Sequence, residues 1–573
     1  MNTAYQTRRD EWLSSPAVDP ETKRTIREMP DGEAEAAFSG GMTFGTAGLR
    51  AVMTPGDARM NVYTVARATA GLAFVIAAEG DDAKKAGVVI AHDSRNNSAL
   101  FARRAAEVLS AYGIRVYLFS ELRPTPVLSF AVRQLGCTAG INITASHNAK
   151  EYNGYKVYWR DGAQIGPEEA SAISEKIDEL SLFDSAFAPD KTNDALISSV
   201  PSAVDEAYRE AVLAQCIDKE LIPRAADRLT VVYTPLYGTG ATMVPEVLRR
   251  AGLERLYTVD EQMTPDGNFP TTPYPNPENA DVFTLGAAVA EKVHSDLLIA
   301  TDPDADRCGT MVRDSAGNFR TLTGNQMGAL LLDYIIGSYR RSGTMPPEPY
   351  AVKSFVTTEL AARICRENGI EMIDVLTGFK YIGEAIGAHE RAGHGSYIFG
   401  MEESYGYLKG TYARDKDAVV ASLLICEMAA YYALNGMSLF DALEALYRKY
   451  GYYEETAFSV AIKGLGAAER MAAIMDRLRA AAPDAIGGEP VIRAMDYRAG
   501  TSLDRVSGKV SGTGLPTADA LRYVTASDVQ IIVRPSGTEP KIKIYLMAGG
   551  KTESEVHETI ARCRRDMEAL LDT

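Results

Sequence analysis

Four times along the chain a short apolar, β-branched run enters a loop rich in Gly, Ser, Asp or Glu, after which a helical pattern resumes. The runs are GVVIAHDSRNNS from Gly87, LTVVYTPLYGTG from Leu229, SDLLIATDPDADR from Ser295 and GSYIFGMEESYG from Gly395. Short continuous apolar runs bounded by turn residues predict buried strands, and their alternation with amphipathic helices predicts parallel α/β sheets. In such sheets function gathers on the loops that follow the carboxyl ends of the strands. The C-terminal part reads differently. Ile531-Ile532-Val533 leads into RPSGTEP, and KIKIYL then sets Ile542, Ile544 and Leu546 on one face at period two, a half-buried strand. Thr552-x-x-Glu555 forms a capping box ahead of Val556, Ile560, Cys563, Met567 and Leu570 at helical spacing. The expected fold class is α/β, with three successive mixed or parallel α/β domains (1–205, 206–325 and 326–450) and a C-terminal α+β domain (451–573). The alanine-rich stretch 464–488 predicts helix followed by loop, and no low-complexity tract or heptad array is present.

A chain of 573 residues holds several domains. Its apolar fraction of 46% and charged fraction of 24% are those of soluble globular proteins. No segment reaches the length of apolar sequence that a membrane helix needs. MNTAYQTRRDEWLSS has basic residues with no apolar stretch behind them, so no secretory signal is expected and a cytoplasmic location is. Six scattered cysteines, without a C-x-x-C pair or zinc spacing, are expected to be reduced and mostly in the core. A net charge of −16 excludes a nucleic-acid or anionic-membrane partner, because both demand a basic footprint. An anionic substrate would need a local cluster of Lys and Arg.

The chemistry begins at Asp302-Pro303-Asp304-Ala305-Asp306-Arg307. Carboxylates at i, i+2 and i+4 repel one another unless a cation neutralises them, and oxygen-only ligands select a hard ion such as Mg²⁺. Pro303 opposes a regular helix, whereas a turning backbone can aim the three side chains together. An EF-hand would need Gly and Glu where Arg307 and Arg313 stand, so that reading fails. A solvated acidic turn is the plain alternative. Magnesium usually bridges carboxylates to phosphate and water, so a phosphorylated serine would complete the site.

ITASHNAKEYNGYK offers that serine, Ser146, beside His147, with Asn153-Gly154 read as a turn and Lys156 beyond it. A hydrolase triad fits poorly. There is no G-x-S-x-G elbow, and consecutive side chains on a strand point apart. An ordinary polar loop stays open on these residues alone. Two Gly-rich turns deliver cations able to cradle phosphate: FGTAGLR with Arg50, and Arg534-Pro535-Ser536-Gly537-Thr538. LTGFK, with Thr377, Gly378 and Lys380, and Arg414-Asp415-Lys416-Asp417 place further cations beside turns, with surface ion pairs as the alternative. Lys541 and Lys543 read as the solvent face of their strand.

Taken together and in this order, FGTAGLR, ITASHNAKEYNGYK, TDPDADR, GMEESYGY and RPSGTEPK resemble the α-D-phosphohexomutase superfamily over essentially the whole chain. The resemblance implies four domains around one central cleft, each giving it a loop. It implies Ser146 as the phosphoserine, with Asp302, Asp304 and Asp306 holding Mg²⁺ together with its phosphate. Arg307 is implied to orient substrate, Lys156 and Arg50 to assist proton transfer and charge stabilisation, and His147 to line the site. Glu402 and Ser404 are similar to the family's sugar-hydroxyl contacts; Thr377, Gly378, Lys380 and Lys416 are further substrate-binding candidates. Arg534, Ser536, Gly537 and Thr538 match its distal phosphate clamp. Ala149 replaces the proline of the usual TASHNP, and Gly406 stands where mannose-type members carry histidine. GTAGLR, LTGFKYIGE and GMEESYGYL look most like the long bacterial phosphoglucomutases and the related phosphopentomutase and glucose-1,6-bisphosphate synthase branch.

The implied reaction is the interconversion of glucose 1-phosphate and glucose 6-phosphate through glucose 1,6-bisphosphate, which would also serve as activator. Phosphopentomutase and phosphomannomutase are the alternatives within that chemistry; a sugar-phosphate phosphatase or a non-catalytic sensor are the alternatives outside it. The expected partners are small-molecule sugar phosphates, for a monomer or small homo-oligomer.

Overall fold

The computed structural model describes residues 4–42, 48–184, 188–314, 316–462, 466–536 and 541–572. Met1–Leu322, Ile382–Ala392 and Gly406–Gly436 form one compact unit; Thr323–Tyr381, Gly393–Tyr405 and Met437–Thr573 form the other. Residues of the third expected domain are therefore divided between the two.

All four post-helical apolar runs are strands: Val88–His92, Val231–Thr234, Leu297–Thr301 and Ser396–Glu402. The first two and Leu297–Thr301 are buried at every position, because helices cover both faces of a parallel sheet. In the first unit, Val88–His92 runs parallel to Val116–Leu118 and Ala139–Ile143, while Tyr152–Trp159 returns antiparallel beside Ala139–Ile143. Leu49–Val52 closes that edge, antiparallel to Tyr152–Trp159. The core below is aliphatic, with Leu72, Ile90, Leu109, Ile141 and Val157 fully enclosed. A second sheet pairs Val231–Thr234 in parallel with Leu256–Thr258 and Leu297–Thr301. Cys308–Arg313 then folds back antiparallel on Leu297–Thr301, so the aspartate motif is the bend of a hairpin. These sheets are mixed, parallel through the centre and at one edge and antiparallel at the other.

In the second unit, Pro349–Ser354 lies parallel to both Glu371–Val375 and Ser396–Glu402. The C-terminal sheet is antiparallel, and Tyr452–Ala461, Lys541–Gly550, Gln530–Pro535 and Leu521–Thr525 are adjacent in that order. Ile542, Ile544 and Leu546 pack beneath the helix Glu553–Asp572 through Val556, Ile560, Cys563 and Met567. Leu571 of that helix is buried, and Leu570 is only partly covered. The α-helical period of 3.6 has drifted by one position since Met567. The alanine-rich stretch gives the helix Ala467–Ala480, then a short strand, Ala485–Ile486.

All six cysteines are free thiols, five of them buried. Among the described residues no single helix is long and apolar enough to cross a membrane.

Candidate active site

Ser146 sits just beyond the carboxyl end of Ala139–Ile143 and adopts φ 52°, a left-handed conformation unusual for serine. Thr144 Oγ1 accepts a hydrogen bond from Ser146 N at 2.8 Å, which holds the bend. Because the chain turns here, adjacent side chains converge: Ser146 Oγ lies 3.2 Å from His147 Nδ1. The expectation that they point apart assumed an extended strand and is corrected by this turn. His147 is nevertheless a weak proton acceptor. Burial, reinforced by Arg307 and Arg50, pushes its imidazole well below its usual range, so the ring is neutral near pH 7.

Asn153-Gly154 is not a turn. Both residues lie within Tyr152–Trp159, and glycine is required at 154 by close approach. A Cβ there would fall 2.4 Å from the Thr144 carbonyl oxygen and 2.8 Å from that of Leu49. The same pairing brings in the cations. Lys156 is opposite Asn142, and Arg50 is opposite Gly154 on the next strand. Arg50 Nη1 donates to Asn148 Oδ1 at 2.8 Å, tying the edge strand to the serine loop. Of FGTAGLR, Gly48, Leu49 and Arg50 are described; Phe44–Ala47 lie outside the described residues.

Asp302, Asp304 and Asp306 are buried, and one carboxylate oxygen from each lies within 4.8 Å of the other two. The tight hairpin bend makes this possible, with Ala305 at φ 50° and the Ala305 amide donating to the Asp302 carbonyl at 2.9 Å. Ser146 Oγ donates to Asp302 Oδ2 at 2.8 Å, joining serine loop and aspartate loop directly. Lys156 Nζ lies 2.9 Å from Asp304 Oδ2 and 3.6 Å from Asp306 Oδ2. Lys416 Nζ lies 2.8 Å from Asp306 Oδ2, so this lysine contacts the acidic cluster and is not a surface ion pair. Arg307 donates from Nη1 to Glu278 Oε1 at 2.6 Å, and its backbone N–H to Asp302 Oδ1 at 3.0 Å.

Three buried carboxylates against two ammonium groups leave the carboxylates unequal. Burial, with Asp304 and Asp306 adding to it, pushes Asp302 well above the usual carboxylate range. Burial also opposes ionisation of Asp304, but Lys156 and then Lys416 outweigh it and hold Asp304 below that range. Lys156 stays charged for the reciprocal reason. Asp304 Oδ1 and Asp306 Oδ1 are buried and accept no hydrogen bond among the described residues. An orphaned buried carboxylate oxygen is costly, and a hard cation on an all-oxygen donor set satisfies it. The cluster can therefore hold a metal ion.

Sequence reasoning missed the residues that brace this centre. Thr125 Oγ1 donates to Asp304 Oδ2 at 2.8 Å while accepting from Asn142 Nδ2 at 2.7 Å. The Arg95 guanidinium lies under the serine loop. Nothing local marks Thr125, whereas Arg95 sits in one of the post-strand loops singled out above, HDSRNNS.

In the second unit Glu402, the last residue of Ser396–Glu402, accepts from the Gly378 amide at 2.9 Å, bringing GMEES and LTGFK together. Its neighbour Glu403 is held by Ser354 Oγ at 3.1 Å and Thr357 Oγ1 at 3.3 Å. Thr377 Oγ1 is buried without a hydrogen-bond partner among the described residues. Lys380 Nζ stands 5.3 Å from the Tyr381 ring centroid, and Ser404 is half-buried. Arg534 lies near the end of Gln530–Pro535, and the Ser536 amide donates to the Lys541 carbonyl at 2.8 Å. Gly537 and Thr538 lie outside the described residues.

Comparison with known proteins places this arrangement. Profiles of phosphoglucomutase/phosphomannomutase alpha/beta/alpha domains I, II and III match residues 41–183, 206–317 and 323–450, and that of the C-terminal domain matches 478–565. The class is thereby defined: an α-D-phosphohexomutase, an isomerase of the intramolecular phosphotransferase type. The chain belongs to the phosphoglucomutase/phosphomannomutase family, on its bacterial phosphoglucomutase branch. It is 37% identical over 536 residues to the phosphoglucomutase of Staphylococcus aureus strain MRSA252, covering 93% of this chain and 94% of that one. To the strain MSSA476 protein it is 36% identical, over 96% and 97% of the two chains. Among solved structures, the open form of the Paramecium phosphoglucomutase parafusin aligns with a TM-score of 0.66 at 18% identity, over 93% of this chain and 94% of that one. A phosphoglucomutase/phosphomannomutase family protein of Burkholderia thailandensis aligns with a TM-score of 0.65 at 19% identity, over 92% and 97%. At these identities the structures speak for the fold alone.

Proposed function

We propose that this protein interconverts α-D-glucose 1-phosphate and glucose 6-phosphate, with Ser146 as the phosphoryl carrier and glucose 1,6-bisphosphate as intermediate and activator. The observation that carries the reading is the 2.8 Å contact of Ser146 Oγ with Asp302 inside a buried three-aspartate cluster. A serine held there for structure alone would not need to donate to a carboxylate of a buried three-aspartate cluster.

Asp302, Asp304 and Asp306, with a phosphate on Ser146, would hold Mg²⁺. When bound, this ion supplies charge neutralisation on the transferring phosphoryl group. The chain's own residues do the rest. The left-handed turn at Ser146 presents its oxygen to the cluster, and charged Lys156 stabilises negative charge spreading over the phosphoryl oxygens. As the sugar hydroxyl oxygen bonds to phosphorus, the bond from phosphorus to Ser146 Oγ breaks. The net result exchanges the phosphoryl group on Ser146 for the hydroxyl proton. Neutral His147, 3.2 Å from that oxygen, and Arg50 line the path of this proton. The bisphosphate then returns its other phosphoryl group to Ser146. Glu402 and Ser404 are assigned to sugar hydroxyls; Thr377, Gly378, Lys380, Lys416 and Arg307 to further substrate contacts; and Arg534, Ser536, Gly537 and Thr538 to the non-reacting phosphate.

The reading is tested by a coupled assay over glucose, mannose and ribose 1-phosphates with the bisphosphate activator and Mg²⁺ present. Glucose 1-phosphate is expected to give the highest kcat/KM, without stoichiometric release of inorganic phosphate. A preference for ribose 1-phosphate, or phosphate release at the rate of turnover, would contradict it. Arg534→Ala is expected to raise the KM for glucose 1-phosphate by about tenfold or more, the loss of a charge-assisted contact of about 1.5–3 kcal/mol. An unchanged KM would remove Arg534 from the phosphate site.

A further inference from the structure

The serine loop turns back on itself between two strands, and its inner rim is a row of carbonyl oxygens. One side chain meets that rim. Arg95 donates from Nη2 to the carbonyls of Ser146, at 2.7 Å, and Asn148, and from Nη1 to those of Ala149 at 2.8 Å and Tyr152 at 3.0 Å. Its side chain is wholly buried, with Nε 3.4 Å from Asp93 Oδ2, and Asp93 Oδ1 accepts from the Arg95 amide at 2.9 Å. Above the guanidinium lies the ring of Phe269, 5.1 Å from centroid to Cζ.

Phe269 belongs to the region matched by the second family domain, as do the aspartates. Its turn, Asp266-Gly267-Asn268-Phe269, is pressed against the loop after Val88–His92. Asn96 Nδ2 donates to Asn268 Oδ1 at 3.1 Å, and a Cβ on Gly267 would fall 2.3 Å from the Asn96 amide nitrogen. Phe269 adopts φ 46°, a backbone strain accepted to seat its ring. One guanidinium thus fixes four carbonyls of the loop that carries Ser146, while the domain that carries Asp302 grips the same guanidinium from the other side.

We infer that Arg95, clamped by Phe269, is a positioning residue that sets Ser146 Oγ in register with the aspartate cluster across two domains. The inference rests on the reading given under Proposed function. Arg95 touches neither substrate nor reacting atoms; it acts through the loop backbone. A planar fork of donors is needed, because a lysine ammonium cannot serve four carbonyls spread along a rim.

The test compares the full chain with Arg95→Lys and Phe269→Leu in the coupled glucose 1-phosphate assay, together with thermal melts and the rate at which Ser146 takes up phosphoryl from glucose 1,6-bisphosphate. Misplacing a reacting atom by about 1 Å costs about a hundredfold, so Arg95→Lys is expected to lower kcat and the loading rate by about that factor. KM should stay within about threefold, since no substrate contact is lost. Phe269→Leu should lower kcat in the same direction by a smaller factor. A cooperatively melting Arg95→Lys with kcat near that of the unaltered chain, or one whose defect lies in KM alone, overturns the positioning role. Should Arg95→Lys fail to fold, Phe269→Leu decides, and an unchanged kcat overturns the proposal. An unaltered chain that does not turn over glucose 1-phosphate sinks the parent reading as well, which distinguishes the two failures.

Discussion

Ser146→Ala is expected to lower mutase turnover at least about a thousandfold, equivalent to about 4 kcal/mol of barrier, because the oxygen that takes up and returns the phosphoryl group is removed. Phosphoryl uptake from glucose 1,6-bisphosphate should vanish with it. The fold should survive. The variant loses two hydrogen bonds, a long one to His147 and one to a carboxyl group already pushed toward its neutral form, so the melting temperature should fall by no more than about 2–4 °C. Steady-state assay, mass spectrometry and a thermal melt check the three statements. Turnover within tenfold of the unaltered chain would show that the phosphoryl group travels by another route.

The second large effect is expected at the proposed metal ligands. Asp306→Asn keeps the shape of a buried side chain but removes a charge that Lys416 at 2.8 Å and Lys156 at 3.6 Å now balance. Fewer anionic ligands weaken cation binding, so the Mg²⁺ concentration for half-maximal activity should rise at least about tenfold. At saturating Mg²⁺ kcat should still fall about 10²–10³-fold, the cost of losing one preorganised electrostatic partner of the transferring group. Chelation of divalent metal from the unaltered chain should abolish turnover, and added Mg²⁺ should restore it. A chelated enzyme that works at full rate would remove metal from the mechanism.

What could be read in the sequence is what lies close together along it. The aspartates share one hairpin bend, and Ser146 and Lys156 lie on a single strand–loop–strand excursion, so short-range pattern brings them together. Local geometry was harder. The Ser146–His147 contact depends on a left-handed backbone angle that serine rarely adopts, and Asn153-Gly154 imitates a turn although its glycine serves backbone approach within a strand. The braces were beyond reach. Thr125 acts on Asp304 across 179 residues and Arg95 on Ser146 across 51; only the post-strand loop that holds Arg95 is marked in the sequence, and nothing there shows which carbonyls it meets. The two glutamates of GMEES are likewise alike in sequence; only their partners, the Gly378 amide for Glu402 and the Ser354 and Thr357 hydroxyls for Glu403, separate them. Strands were the most legible feature, because a sheet buried on both faces requires unbroken apolar runs.

Every proposed step passes through a phosphoryl group on Ser146. The most direct measurement is mass spectrometry of the Ser146 peptide after incubation with glucose 1,6-bisphosphate, and again after a chase with excess glucose 1-phosphate. Phosphorylation is expected at Ser146, with its phosphoryl group exchanging into the sugar pool within the time of a single turnover. Phosphate on another residue, or a phosphorylated Ser146 that the chase leaves unexchanged while the enzyme turns over, would contradict it.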